Sequence, residues 1–428
     1  MKILVVGGGG REHAIIKKLK ESPKVTELFA APGNGGIAED AVCVDIKATD
    51  VDAIVDFATK EKMDYVVVAP DDPLVLGMVD ALAEKGIPAF GPRKLAARIE
   101  GSKAFSKDLM KKYGIPTAEY EVFEDATRAM EYIQSKGKYP VVIKADGLAL
   151  GKGVLICETE QQAQDGLKRM LEDKIFGNSG SRVVVEEFLT GPEVSVLSFT
   201  DGKTIKPMVS SMDHKRALDS DKGLNTGGMG TIAPNPYYTP EVAQQCMDEI
   251  FLPTIRAMEQ EGCPFTGCLY FGLMLTPNGP KVIEYNCRFG DPETQVVLPL
   301  LQGDLLEIML ATTNGTLEQT PVEFAQSSAA CVILASGGYP QKYATGKIIS
   351  GLEKGQLANK SALVYHAGTK QTPEGLATSG GRVLGVTAVA DTLQQAIQKA
   401  YTAAENISFE GMHFRKDIGQ RALAATKE

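Results

Sequence analysis

At 428 residues the chain exceeds what one hydrophobic core sustains, and it is expected to divide into two to four domains. Apolar residues at 43% and charged residues at 23% exclude a largely disordered chain. Forty-five basic against 54 acidic residues give a net charge of -9, which excludes a global cationic field for a nucleic-acid backbone.

The chain opens with a four-residue apolar run before Gly7, too short for a signal peptide or a membrane span. Residues 3–6 form a short strand, 11–20 carry a helical pattern, and 27–30 and 65–69 read as further strands, so residues 1–102 form a mostly parallel α/β domain. Gly86 to Pro92 brackets a last strand with turn formers, and Ser102 caps a helix that runs to Tyr113 and stops at Gly114. Apolar strands at 141–143, 154–157 and 183–188, with a helix near 161–171, make residues 103–192 a small α+β flap. From residue 193 the strands lengthen, at 266–275 and 281–286, around a helix at 240–259, and residues 193–324 fit a larger antiparallel sheet. Strands at 329–335, 361–365 and 383–389 and a helix at 392–405 make residues 325–428 a small C-terminal domain. The seven cysteines show no paired spacing, CxxC is absent, and His13, His214, His366 and His413 are dispersed, so neither a disulfide framework nor a local zinc motif is indicated. A reduced, cytoplasmic protein without membrane or nucleic-acid partners is expected.

The glycine run Gly7 to Gly10 lies between a strand and a helix, where backbone amides can meet an anion. Glu12 stands where a dinucleotide fingerprint needs a third glycine, which leaves a phosphate cradle or a plain turn. Lys144 ends a strand, and Gly147, Gly151, Lys152 and Gly153 follow; this is a phosphate cover or a solvated hairpin, not a P-loop, because the spacing is one residue short. Glu186, Glu187, Phe188 and Leu189, followed by Glu193, combine an apolar slot with carboxylates, as adenosine needs, although surface acids at a turn look the same. Strand alternation puts Glu284 and Asn286 on one face and Ile283 and Tyr285 on the other. Two oxygen donors on one face suit magnesium completed by phosphates and water, and Arg288 follows one same-face step onward, able to pair with phosphate or carboxylate. The polar cluster Met212 to Arg216, with Asp213 and His214, followed by the glycine loop Asn225 to Gly230, suggests a substrate enclosure or a plain surface loop, with His214 weak as a proton carrier. Cys287 reads as packing.

GGGGREHAI at 7–15, APGNGG at 31–36, APDDPLVLGMVD at 69–80 and GSKAFSKDLM at 101–110 are the first four of an ordered set. KADGLALGKGV at 144–154, DHKRALDSDKGLNTGGMG at 213–230, EYNCRFGDPETQ at 284–295 and GRVLGV at 381–386 complete it. Together they resemble the glycinamide ribonucleotide synthetases, the phosphoribosylamine-glycine ligases of the ATP-grasp superfamily, over essentially the whole chain. The resemblance implies an α/β multidomain ATP-grasp fold with an N-terminal mostly parallel domain and a small C-terminal domain. It implies joining glycine to 5-phosphoribosylamine with ATP and Mg2+ or Mn2+, through glycyl phosphate, in a monomer. By the same resemblance Lys103 and Lys144 contact ATP phosphates beneath the loop carrying Gly151, Lys152 and Gly153, and Glu186, Glu187, Phe188, Leu189 and Glu193 hold adenosine. Glu284 and Asn286 would bind the metal, Gly9, Gly10 and Arg288 the phosphoribosyl group, and Asp213 the glycine amine; Lys144, Asp213 and Arg288 are the implied catalytic set. Ala69 and Asp71 stand where glycine and glutamate are usual, and Leu150 replaces a small residue. Another ATP-grasp ligase or a carboxylase is the alternative.

Overall fold

The computed structural model describes residues 1–148, 153–353 and 361–426. The first sheet is parallel, in the order β3 (Val42–Cys43), β2 (Glu27–Pro32), β1 (Lys2–Gly7), β4 (Tyr65–Val68) and β5 (Ala89–Phe90). Ile3 and Val5 bury on one face of β1 while Leu4 and Val6 bury on the other, so the strand reads as a continuous apolar run. The helix Gly10–Leu19 starts directly at its carboxyl end, which is where a parallel sheet presents ligands.

Ser102 caps the helix Lys103–Tyr113 by accepting from Phe105 N at 3.2 Å, and Gly114, with φ +68°, ends it. A small antiparallel sheet follows, ordered β6 (Tyr120–Phe123), β9 (Val183–Glu187), β7 (Val141–Ala145) and β8 (Val154–Cys157). The chain then passes through β10 (Glu193–Thr200), β11 (Ile205–Pro207), β12 (Met212–Asp213), β13 (Arg216–Leu218), β14 (Lys222–Asn225) and β15 (Gly230–Ala233). After a helical stretch it forms β16 (Gly267–Thr276) and β17 (Gly279–Asn286), and the larger antiparallel sheet has the order β11, β10, β16, β17.

The register of β17 against β16 shifts at one point: Glu284 faces Gly272 and Val282 faces Leu273, leaving Ile283 without a partner. This bulge changes the expected alternation. Val282 and Tyr285 are the buried residues, three apart, and Ile283 is half-buried instead of sharing a face with Tyr285. Glu284 and Asn286, beyond the bulge, still share a face.

The last sheet takes β12 and β15 together with three later strands. These are β20 (Ser328–Ala335), β24 (Arg382–Ala390) and β21 (Leu363–His366), numbered after β18 (Leu301–Gln302), β19 (Glu323–Phe324), β22 (Thr369–Thr372) and β23 (Gly375–Thr378). Pairing Asp213 with Thr231, and β15 in turn with β20, sets the C-terminal strands beside the Asp213 loop. Among the described residues no helix is long and apolar enough to cross a membrane. All seven cysteines are free.

Candidate active site

Four elements converge on one buried cluster of charge. Lys144, at the end of β7, donates through Nζ to Glu186 Oε2 at 3.0 Å and to Ile283 O at 3.1 Å. The bulge frees that carbonyl from its ladder, so the same irregularity that turns the strand supplies the acceptor. Lys107 reaches Glu186 Oε2 at 3.1 Å and Thr117 Oγ1 at 2.7 Å. Glu186 is only 3% exposed, and among the described residues its Oε1 has no partner. Burial pushes Lys107 down to about 8, with Glu186 opposing the shift. Lys103 donates to Gly147 O at 3.1 Å; burial lowers its pKa, and Glu284 partly restores it.

Glu284 lies where four cations act on it. Burial alone would raise its pKa, but Lys215, Lys144, Lys103 and Arg288 outweigh that and hold it at about 2. Lys215 Nζ stands 3.6 Å from Glu284 Oε1 and 3.7 Å from Glu193 Oε2, tying Glu193 to the strand. Asn286 Oδ1 accepts from Arg288 Nη2 at 3.2 Å, and the same nitrogen is 2.8 Å from Glu100 Oε1 and 3.8 Å from Asp71 Oδ2. An ionised carboxylate and a neutral amide oxygen on one strand face form a donor set that fits magnesium with most of its shell left to other oxygens. Among the described residues no cluster of three His, Cys, Asp or Glu side chains competes for that role.

Asp213 is half-buried beside this network. Burial, then the neighbouring Glu293, pushes its carboxyl well above the usual range, while Lys215 and Arg382 only partly offset this. Glu293 is 4% exposed and accepts from Tyr270 Oη at 3.0 Å. Gly228 forms one wall: at φ +118° a Cβ there would lie 2.6 Å from Asp213 Oδ1 and 2.4 Å from Pro292 Cδ. Arg382 Nη1 holds the wall by donating to Gly227 O at 2.8 Å and Asp291 O at 2.8 Å, and Tyr339 Oη accepts from Gly227 N at 3.1 Å. His214 carries no proton-transfer geometry. Its Nδ1 pairs with Gly230 O at 3.2 Å and its Nε2 accepts from Gly419 N at 3.1 Å, which fixes a neutral tautomer in a structural role.

The glycine run borders a cleft of about 520 Å³ lined by Gly7, Gly8, Gly9, Arg11, Lys47 and Asp291 among others. Two of the amides a phosphate would use are already engaged: Gly9 N donates to Glu12 Oε2 at 2.6 Å and Arg11 N to Asp291 Oδ2 at 3.3 Å. Gly10 is buried at the helix start, with Gln295 Nε2 2.6 Å from where a Cβ would sit.

The structure thus brings Lys103, Lys144, Glu186, Glu193, Glu284, Asn286 and Arg288 into one network and sets Asp213 beside it. Glu187 is exposed and pairs with Lys281 at 2.9 Å, Phe188 is exposed, and Leu189 is half-buried. Gly153 O accepts from Ala145 N at 2.8 Å, whereas Gly151 and Lys152 lie outside the described residues. Lys107 was not anticipated, although it stands one turn beyond Lys103 on the same helix, the spacing that puts two side chains on one face. Glu293 lies within the EYNCRFGDPETQ segment without a role read for it, and Glu100 had no local signal.

The three domain descriptions of phosphoribosylglycinamide synthetase match in chain order: the N domain over residues 1–100, the ATP-grasp (A) domain over 101–294 and the C domain over 329–421. The phosphoribosylamine–glycine ligase of Clostridium acetobutylicum is 47% identical over 98% of this chain and 100% of its own length. That of Haemophilus influenzae is 47% identical over 99% of both. The crystal structure of the phosphoribosylamine–glycine ligase from Thermotoga maritima is 34% identical, with a TM-score of 0.85 over 98% of this chain and 100% of that one. A biotin carboxylase from Campylobacter jejuni, in complex with an ATP analogue, shares the fold at TM-score 0.74 and 15% identity, covering 96% of this chain and 92% of its own.

Proposed function

The chain belongs to the phosphoribosylglycinamide synthetase family, and from that premise we infer that it is a ligase joining glycine to 5-phosphoribosylamine. The product is the phosphoribosyl glycinamide of purine biosynthesis, and ATP is converted to ADP and phosphate. The observation that carries the reading is Lys144 Nζ on Ile283 O: it ties the phosphate-facing sheet to the strand of Glu284 and Asn286 in one pocket.

A carboxylate is a poor acyl donor because its oxide leaves badly. Glycine therefore attacks the terminal phosphorus of ATP first, and glycyl phosphate results. Lys144 and Lys103 offset charge on the phosphoryl oxygens, and Gly151, Lys152 and Gly153 bind the nucleotide with them. Glu284 and Asn286 would hold Mg2+ or Mn2+, which supplies Lewis-acid neutralisation of the phosphates. Glu186, Glu187, Phe188 and Leu189 hold adenosine, with Glu193 toward the ribose. Asp213 holds the glycine amine, and Gly9, Gly10 and Arg288 hold the phosphoribosylamine, whose nitrogen then attacks the glycyl carbonyl and releases phosphate. No enzyme nucleophile is needed.

The reading extends to units at 1–102, 103–192, 193–324 and 325–428, to a monomer, and to the cytoplasm, where the seven free thiols would persist. A coupled assay for ADP and the ribonucleotide product, omitting each substrate in turn, tests the reaction. ADP formation that needs both glycine and phosphoribosylamine is expected. ADP formation that responds to bicarbonate instead would overturn the reading in favour of a carboxylase.

A further inference from the structure

We propose that Asp291 is a catalytic residue of this ligase, receiving the amine of phosphoribosylamine where it meets glycyl phosphate and offsetting the positive charge that develops on its nitrogen. The proposal rests on the ligase reading above and goes beyond it by naming the group that handles the nucleophile.

Asp291 stands between the two substrate compartments. On one side its carboxylate lines the 520 Å³ cleft of the glycine run. On the other, Oδ1 lies 3.4 Å from Arg382 Nη1, the atom that donates to Gly227 O and approaches Gly228 O at 3.5 Å, and Gly228 abuts Asp213. A glycyl group held at Asp213 and an amine arriving from the cleft therefore meet at the 291–293 turn.

The two carboxylates of the cleft differ in what they have left to give. Glu12 holds one short donor on each oxygen, with Oε2 taking Gly9 N at 2.6 Å and Oε1 taking Arg11 Nε at 2.7 Å. Asp291 Oδ1 takes Gln295 Nε2 at 2.9 Å, but among the described residues Oδ2 has a single long bond, from Arg11 N at 3.3 Å, and faces Gly9. A carboxylate oxygen with unused acceptor capacity repels phosphate and attracts N–H donors. Burial would raise the pKa of Asp291, but Arg382 and Arg11 outweigh it, so the group is ionised at neutral pH.

In the step itself the amine lone pair forms the C–N bond to the glycyl carbonyl carbon. The bond from that carbon to the phosphate oxygen breaks, its electron pair leaves with phosphate, and the amine proton ends on that phosphate. Asp291 stays ionised throughout and acts on the transient N–H charge.

The test is Asp291→Asn in the full chain. A fall of about 100-fold or more in kcat/KM for phosphoribosylamine is expected, with KM for ATP and for glycine changed no more than a few-fold and the melting temperature retained. A merely structural role would shift all three substrates together, and that result, or unchanged kinetics, would overturn the proposal. If the Asn variant does not fold, Asp291→Glu carries the test: its displaced charge has to lower the same constant selectively. Wild-type protein that forms no product defeats the ligase reading; active wild type with an unselective variant defeats only the assignment of Asp291.

Discussion

Lys144 Nζ donates to Ile283 O at 3.1 Å, one residue before Glu284, so a cation from the small sheet is tied to the carboxylate strand of the large one. The contact exists because the bulge leaves Ile283 outside the β16 ladder. Lys144 and the strand of Glu284 and Asn286 are thereby held as one unit, the kind of preorganisation that phosphoryl transfer needs.

Glu284→Ala is expected to lower turnover at saturating ATP by about 100-fold or more, while the melting temperature stays near that of the wild type. Glu284 is half-buried, and Lys215 keeps Glu193 as a second partner, so no buried charge is stranded. Steady-state turnover with a thermal melt checks this; full turnover would remove Glu284 from the metal role.

Asn34→Asp is expected to destabilise the protein by about 3 kcal/mol, because the new carboxylate has no donors for two buried carbonyls. Asn34 Nδ2 donates to Gly8 O at 2.9 Å and His366 O at 2.7 Å, binding the glycine run to the C-terminal strands. The KM for phosphoribosylamine should rise with it. Chemical denaturation and kinetics at saturating ATP and glycine read the two effects.

Gly228→Ala is expected to raise the KM for glycine by about 10-fold or more, since more than about 1.4 kcal/mol of binding goes with the space beside Asp213. The added methyl meets Pro292 Cδ at 2.4 Å and Asp213 Oδ1 at 2.6 Å, at a φ of +118° that alanine resists. An unchanged glycine KM would mean that the amino acid does not sit against this wall.

Acid lability is expected to trace in part to His214, which is 1% exposed. Burial, then Arg415 and Arg421, holds its pKa at about 4, whereas an unfolded histidine titrates near ~6.5. Between those values the unfolded chain binds a proton the folded chain refuses, so this contribution is full above the unfolded pKa and declines as pH falls toward the folded one. On the order of 1–2 kcal/mol should be lost between about pH 7 and about pH 5. Urea unfolding of wild type and His214→Gln at both pH values checks it: the variant should show a shallower pH slope, and an equal slope would assign the effect elsewhere.

Much of the site was legible before any coordinates. A two-residue period placed Glu284 and Asn286 together, and an apolar strand ending in lysine placed Lys144, because both signals live within five residues of chain. The bulge at Ile283 was not legible, since its neighbours read as an unbroken strand and only the pairing with β16 reveals the extra residue. Glycine-run chemistry was legible only in part. The sequence marks amides at a helix start and sets Glu12 three residues from Gly9, yet whether Asp291 takes the Arg11 amide depends on a contact spanning 280 residues.

By itself the sequence determined the fold family, the mixed α/β class and the residue types that phosphoryl chemistry needs, because local periodicity, turn formers and ordered motifs are written in neighbouring positions. Only the tertiary structure decided which charges neutralise which: Glu186 between Lys107 and Lys144, Arg288 between Glu100 and Asp71, Asp291 beside Arg382. Charge pairing acts over a few ångströms of space and is indifferent to separation along the chain, so no local pattern can encode it.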